Sequence, residues 1–471
     1  MKSSEQHKAI KKQSAPSAPK KRNITSREAA MNILTAVEEE GAYSNLLLNQ
    51  VLKGANLSPA DAGLATELVY GTIARRNTLD YFLESYVAKG LKKLTPWVRN
   101  LLRLSLYQIL YLDRIPDHAA VSEAVNIAKR KGHQGISGMV NGVLRNMLRN
   151  LDQLKVPEDL PAVKRIALTH SHPEWLVKRW VAQYGEHTVE AMCRANNEAP
   201  PVSVRVNTTM ISRDKLMQEM EKAGHIVVPS LISKDGIIVS SGGNMALTSW
   251  YKDGMLSVQD ESSMLVAEAV EPKPGMTVLD CCAAPGGKTS HMGEKMQDQG
   301  SIIANDIHPH KVKLIQDQAD RLGLGSIETV CHDALDLDTY YPEASFDRIL
   351  LDAPCSGFGV IRRKPDLRWA KSPEDVEAIS SLQSELLSRV SKLLKPGGIL
   401  VYSTCTTEPK ENDQVVREFL ASHPDYAAVP PAESMNEEVK ACVTEEGYGI
   451  QILPQKFNSD GFYIARLKRL G

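Results

Sequence analysis

Residues 278–289, Val278-Leu279-Asp280-Cys281-Cys282-Ala283-Ala284-Pro285-Gly286-Gly287-Lys288-Thr289, limit the folds open to this chain more than any other stretch. An apolar strand runs into a loop of small residues and then into a helix. Small residues let a backbone approach a ligand closely, and a helix start offers unpaired N–H groups. That order of elements belongs to doubly wound sheets, whose ligands sit at the carboxyl ends of the strands. The surrounding sequence agrees. It predicts strands at Thr277–Cys281, Ser301–Asp306, Ile327–Cys331, Arg348–Asp352 and Ile399–Ser403, with helices near 289–297, 309–322 and 373–394. Such alternation specifies a Rossmann-like α/β domain with a mostly parallel sheet over residues 251–471. Gly461–Leu467 is expected as a further edge strand.

The loop also narrows the cofactor. A dinucleotide site needs G-x-G-x-x-G, which is absent. A phosphate loop needs G-x-x-x-x-G-K-[ST]. Gly287-Lys288-Thr289 matches its end, but Cys282 stands where the first glycine belongs. S-adenosylmethionine has no phosphates and fits what remains. Asp306 ends the next strand about twenty residues on, where an acid binds ribose hydroxyls. Asp333 follows the third strand, within reach of an adenine amino group. Either aspartate alone reads as a turn or cap residue; together with the loop they read as ligand contacts.

The rest of the chain divides by pattern. Residues 1–22 are rich in Lys, Ser and Pro and are expected as a flexible basic tail. Residues 23–150 read as an all-helical bundle: Ser26 is the expected cap of a first helix that Gly41 stops, and segments 43–53, 60–74, 78–88, 97–112, 118–130 and 138–149 repeat the helical spacing. Residues 151–250 read as a small α/β module of the RNA-recognition-motif (RRM-like) kind: helical pieces near 161–196, a strand at Val202–Val206, a helix at 212–223 and strands at 225–228 and 236–239. Charge is uneven. Residues 1–150 carry 22 Lys and Arg against 12 Asp and Glu, and the remainder 34 against 45. A basic amino-terminal part suggests an anionic partner, nucleic acid being the usual one. Arg75-Arg76, Lys92-Lys93 and Lys129-Arg130-Lys131 are candidate phosphate contacts, as are Arg205, Asn207, Arg362 and Arg363. No apolar run is long enough to span a bilayer and the first residues lack a signal-peptide core, so a soluble cytoplasmic protein is expected. Seven cysteines with no C-x-x-C pair argue against a disulfide framework and a structural zinc. His308 and His310 lack a third ligand, so no metal is expected, and the chain is expected to act as a monomer.

Two more strand ends carry cysteine: Asp352-Ala353-Pro354-Cys355-Ser356-Gly357 and Tyr402-Ser403-Thr404-Cys405-Thr406. One buried cysteine is ordinary. Two at the mouths of parallel strands, on the cofactor side, suit the methylation of carbon 5 of cytosine. That carbon is a poor nucleophile until a thiolate adds to carbon 6. The route needs a cysteine of lowered pKa, a partner for the N3/N4 edge of the base, and a base for the elimination. Asp352, Cys355 and Cys405 can supply these roles, and the residues themselves leave open which cysteine attacks. The target base must be unpaired or flipped out.

These motifs, Cys282-Ala283-Ala284-Pro285-Gly286-Gly287-Lys288 with the two cysteine segments and the lead-in Val258-Gln259-Asp260-Glu261-Ser262-Ser263, resemble those of the RNA cytosine-5 methyltransferases of the Nop/Sun family. The bundle, with Ser26-Arg27-Glu28-Ala29-Ala30 and Asn141-Gly142-Val143-Leu144-Arg145, resembles the RNA-binding antitermination factor NusB. The fusion is similar to bacterial family members that modify 16S ribosomal RNA. The resemblance implies that Cys282, Ala283, Ala284, Pro285, Gly286, Gly287 and Lys288 cradle S-adenosylmethionine. It implies further that Asp306 binds its ribose, Asp333 its adenine end, and that Asp352 lies near the methionine moiety and the target base. Cys405 is then the nucleophile and Cys355 assists release. Two other readings compete: an RNA-binding protein with a decayed cofactor domain, and an ATP-dependent enzyme using Gly287-Lys288-Thr289.

Overall fold

The computed structural model describes residues 24–41, 44–54, 57–241 and 243–471. The expected basic tail, residues 1–22, lies outside the described residues. The chain forms two compact units: one runs to Val69 and includes Thr95–Asn141, and the other joins Tyr70–Leu94 to Gly142–Gly471.

The first unit is helical, with helices Ser26–Glu40, Ser44–Gly54, Pro96–Tyr111 and Asp117–Lys131. Gly41, at φ +64°, stops the first helix as expected. Its cap is Thr25 rather than Ser26: Thr25 Oγ1 accepts the Glu28 N–H at 3.2 Å. Ser26 is buried and its hydroxyl donates to Asp61 at 2.8 Å. Ala29, Ala30, Ile33 and Leu34 fall at helical spacing and are fully or nearly fully buried. Part of the basic character is spent inside the unit. Glu38 takes Arg99 at 2.7 Å and Arg103 at 3.1 Å; Arg130 pairs with Glu28 and Lys131 donates to Asn32.

The second unit holds two sheets. The smaller is antiparallel, in order β2-β3-β1-β4, from β1 (Val202–Val206), β2 (Ile226–Pro229), β3 (Gly236–Ser241) and β4 (Leu256–Val258). Along β1 the period of two puts Val204 and Val206 into the module's core with Leu216, Met220, Ile237 and Leu256, and turns Arg205 to the other face. The strand β4 lies beyond the expected boundary at 250. The preceding helices, Ala162–Thr169, Glu174–Tyr184 and Glu186–Ala195, bury Trp180 against Phe358, Ile361 and Val376. They therefore pack on the larger domain rather than forming part of the small sheet.

The larger sheet contains β5 (Thr277–Asp280), β6 (Ser301–Asn305), β7 (Ile327–Val330), β8 (Phe346–Asp352), β9 (Leu394–Thr404), β10 (Tyr426–Val429), β11 (Gly449–Ile452) and β12 (Phe462–Arg469). Its order is β10-β12-β9-β8-β5-β6-β7, with β11 also on β12. The five strands β5 to β9 run parallel, and their near-continuous Val, Ile and Leu content fits burial on both faces. The last strand is not an edge: β12 pairs antiparallel with β9 on one side and with β10 and β11 on the other. Strand order reverses between β5 and β8, and a crevice for ligands opens at such a switch point. Among the described residues no helix is long and apolar enough to cross a membrane, and no group of three His, Cys, Asp or Glu side chains is placed to hold a metal ion.

Candidate active site

Carboxylates rim the crevice. Asp280 closes β5, Asp306 follows β6, Asp333 follows β7 and Asp352 closes β8. Between the first two, the loop Cys281–Gly286 turns through a cis Ala284–Pro285 bond and through Gly286 at φ +97°. A Cβ on Gly286 would lie 3.1 Å from Ile315 Cα, so glycine is what lets the loop approach the helix Pro309–Leu322 this closely. Asn305 ties the loop down. Its Nδ2 donates to the carbonyls of Cys281 and His332 at 3.0 and 3.1 Å, and its own carbonyl accepts the Ala283 N–H at 2.8 Å. Beneath the loop, Thr289 Oγ1 donates to Asp280 Oδ2 at 2.7 Å, and burial pushes that carboxyl up to about 7. Burial likewise pushes up the thiols of Cys281 and Cys282.

Lys288 is not free for phosphate. Its Nζ lies 2.7 Å from Asp352 Oδ2, and Ser403 Oγ donates to Asp352 Oδ1 at 2.8 Å. Burial pulls the ammonium down, and the Asp352 charge more than offsets it, leaving Lys288 above its ordinary value. Asp306 Oδ1 accepts the His308 N–H and Asp333 Oδ1 the Leu335 N–H, both at 3.0 Å. A mouth lined by aspartates, with its one loop lysine already paired, repels a polyphosphate. The same acceptors fit S-adenosylmethionine, which offers a cationic sulfur, ribose hydroxyls and an adenine amino group.

The two cysteines meet. Strands β8 and β9 are parallel neighbours with Asp352 opposite Ser403, so the loops carrying Cys355 and Cys405 leave the same edge of the sheet. The Cys355 and Cys405 Sγ atoms lie 3.3 Å apart, and both residues are half-buried. A hydrogen bond from Cys355 lowers the Cys405 thiol; burial and Asp352 oppose this, and the Lys288 and Lys364 cations add to it. The same contact, together with burial, pushes Cys355 up. Either sulfur can donate in this contact, and the Lys288 and Lys364 cations favour the arrangement in which Cys355 donates to a thiolate on Cys405. Gly359 supports the Cys405 loop: its N–H donates to the Cys405 carbonyl at 3.0 Å, and it accepts from the Gly461 N–H at 2.8 Å. A Cβ there would fall 1.9 Å from the Gly461 oxygen.

Three of the four expected RNA contacts, Arg205, Asn207 and Arg362, need correction because they are buried. Arg205 is fully buried: its guanidinium takes both Glu294 oxygens at 2.8 and 2.9 Å, Ser290 Oγ at 3.0 Å, the Gly287 carbonyl at 2.7 Å, and Gln259. It ties β1 to the helix Gly287–Lys295 that follows the cofactor loop. Asn207 is also fully buried, donating to the Gly254 carbonyl and accepting from Thr209. Arg362 is buried against Asn458 and the Ser459 carbonyl. Arg363 bridges Asp260 and Asp460, each at 2.7 Å. In that basic run Lys364 is the exposed cation, and its charge reaches Cys405. The basic run Ile361–Asp366 was expected to meet RNA phosphate, and Lys364 is the member of it that stays exposed. Sequence reasoning missed Asn305, which nothing local signals. His308 and His310 only stack, with ring centres 5.6 Å apart.

Comparisons with known proteins agree with this architecture. Residues 267–468 match the family model described as 16S rRNA methyltransferase RsmB/F, residues 24–149 that of the NusB family, and residues 172–246 that of the RsmF/B-like ferredoxin-like domain. The chain is 45% identical over 449 residues to the probable ribosomal RNA small subunit methyltransferase B of Bacillus subtilis, spanning 94% of this chain and 99% of that one. It is 36% identical over 444 residues to the ribosomal RNA small subunit methyltransferase B of Pseudomonas putida, spanning 94% and 98%. The crystal structure of PH0851 aligns with a TM-score of 0.78 at 26% identity, covering 96% of this chain and 100% of that one.

Proposed function

The chain belongs to the RsmB/F family of 16S rRNA methyltransferases, and from that premise we propose that it methylates carbon 5 of a cytosine in 16S ribosomal RNA through a covalent Cys405 adduct. The observation that carries this reading is the sulfur pair, 3.3 Å apart at the ends of two adjacent parallel strands and beside the Lys288–Asp352 ion pair. When bound, S-adenosylmethionine supplies a methyl group on a cationic sulfur. Residues Cys282 to Lys288, Asp306, Asp333 and Asp352 are assigned to hold it.

Cys405 adds as thiolate to carbon 6, which makes carbon 5 enamine-like and able to take the methyl. Asp352 is assigned to the N3/N4 edge of the base. For release, the carbon 5 proton leaves to a base, a role assigned to the Asp352 carboxylate in exchange for its Ser403 hydrogen bond. The carbon 6–sulfur bond breaks and its electron pair returns to Cys405, where the Cys355 S–H receives it as a hydrogen bond. This gives Cys355 its part in release without making it the nucleophile. Ribosomal rather than transfer RNA follows from the NusB-family match of the amino-terminal residues and from the names of the relatives. The decayed-domain reading is disfavoured by the paired sulfurs and the paired Asp352. The ATP reading is disfavoured by the carboxylate partner of Lys288.

The test is the Cys355→Ala protein expressed in cells and purified under denaturing conditions. It should carry covalently attached RNA at one cytosine, and the Cys355→Ala, Cys405→Ala double variant should carry none. Methyl transfer without any adduct would remove Cys355 from the release step. Absence of both, in the unmodified protein as well, would leave only an RNA-binding function.

A further inference from the structure

Beyond β9, the adjacent residues Glu411 and Asn412 reach back to both cysteine loops. Glu411 is fully buried, and its Oε2 accepts the N–H of Ser356, the residue after Cys355, at 2.8 Å. The same oxygen accepts Gln383 Nε2 at 3.2 Å, and Gln383 Nε2 also donates to the carbonyl of Pro354, the residue before Cys355, at 2.9 Å. Asn412 treats Cys405 in the same way. Its Oδ1 accepts from Thr404 Oγ1 at 2.6 Å and its Nδ2 donates to the Thr406 carbonyl at 3.1 Å. A hydroxyl bridge of 2.8 Å between Ser356 and Thr406 joins the two loops. Every residue flanking the two cysteines is therefore gripped by a side chain.

For Glu411 this is a costly way to hold a loop. Its other oxygen, Oε1, is buried without a partner, and burial pushes the carboxyl up to about 7. A neutral amide would satisfy Ser356 at less cost, so a titratable acid at this place needs a separate reason. That reason lies in the neighbourhood of the sulfurs. Lys288 and Lys364 favour the thiolate of Cys405, Asp352 acts to keep a proton on both sulfurs, and Glu411 acts to keep one on Cys355. Glu408, whose charge also raises Glu411, is itself paired with Arg179 at 2.8 Å.

We infer that Glu411 is a positioning residue for the sulfur pair: it fixes the Cys355 loop through the Ser356 N–H and, with Gln383, through the Pro354 carbonyl, and sets a carboxyl group behind that loop, so that Cys355 Sγ is held against Cys405 Sγ. The inference rests on the reading of Cys405 as nucleophile and Cys355 as the aid to release.

Glu411→Gln in the full chain separates charge from shape. Alkylation by iodoacetamide, followed against pH by mass spectrometry of the Cys355 peptide in a Cys405→Ser background, should show the Cys355 midpoint falling by about one unit. With both cysteines present, kcat should fall about tenfold at an RNA KM within about twofold, and more of the protein should carry trapped RNA. Glu411→Asp retains the charge but withdraws from Ser356, so the Cys355 midpoint should stay near the parent value while release slows. If Glu411→Gln does not fold, that pair of readouts on Glu411→Asp carries the test. An unchanged midpoint and unchanged kcat in Glu411→Gln, or unslowed release in Glu411→Asp, would overturn the inference. Cys405→Ala in an otherwise unaltered chain is the control. If it still methylates RNA, the underlying reading of the cysteines fails; if it is inactive while Glu411→Gln is normal, only the role of Glu411 fails.

Discussion

Replacing Arg205 by alanine should destabilise the cofactor helix in a way that depends on pH. Arg205 and Glu294 are exposed by 0% and 2%, and the guanidinium takes both carboxylate oxygens. Burial already holds Glu294 above the usual carboxylate range, and Arg205 pulls it back down. Without Arg205 the carboxylate is buried and unpaired, a change that costs about 3–5 kcal/mol. The carboxyl can escape by taking a proton. From an ordinary value of about 4.3, that proton costs about 4 kcal/mol at pH 7.5 and about 2 kcal/mol at pH 5.5. The loss is therefore capped near 4 kcal/mol at the higher pH and should fall to less than half of that at the lower. Hydrogen exchange read by mass spectrometry on peptides covering Val202–Val206 and Gly287–Lys295 measures this locally. Protection should fall by roughly three orders of magnitude at pH 7.5 and by little more than one at pH 5.5. Arg205→Met with Glu294→Leu should restore most of it, because an apolar pair of similar volume often replaces a buried ion pair without loss. A loss below tenfold, or an equal loss at both pH values, would refute the reasoning. Weakened RNA binding with protection intact would return Arg205 to the RNA surface.

Further outcomes follow from the site. Gly359→Ala puts a Cβ 1.9 Å from the Gly461 oxygen and 2.8 Å from the Cys405 oxygen, so it should abolish methyl transfer and speed alkylation of the displaced Cys405; normal activity would mean that the loop yields easily. Lys364→Ala removes an exposed cation, so RNA affinity should fall and the slope of log affinity against log salt should drop by about one; an unchanged slope would exclude a phosphate contact. Asp280 is pushed up to about 7 when folded, against about 3.9 unfolded, so its stabilisation is complete below pH 4 and lost as pH rises to about 7. Asp280→Asn, neutral throughout, should gain melting temperature relative to the parent between pH 5 and 8, on the order of 4 kcal/mol at full extent; a flat difference would show that Asp280 stays ionised.

The parallel strands were legible because burial on both faces leaves unbroken apolar runs, and their small-residue loop marked the crevice. Strand β12 was misjudged as an edge because its outer partners, Tyr426–Val429 and Gly449–Ile452, are only four residues each and lie among Pro, Glu and Gly. Position along the chain gave Cys355 and Cys405 a common mouth, and the register of β8 against β9 turned that into contact. Arg205 was misread for the opposite reason. A charge within a strand looks solvent-facing until its partner is known, and Glu294 is 89 residues away. Arg362 was misread similarly, since Asn458 lies nearly a hundred residues downstream. The Thr25 cap was missed by one residue because Ser26 is an equally good capping type.

The strand β4 has a consequence for dissecting the molecule. Leu256–Val258 completes the small sheet from the far side of the boundary that composition suggests, pairing with Val204–Val206. A catalytic fragment begun at residue 251 would retain this orphan strand with its ladder partner removed, and would uncover Glu294. A small module ended at 250 would lack its fourth strand and Leu256. Neither half is a transplantable part, so any chimera that exchanges the small module must be spliced before Val202 or after Val258, with Arg205 and Glu294 exchanged together.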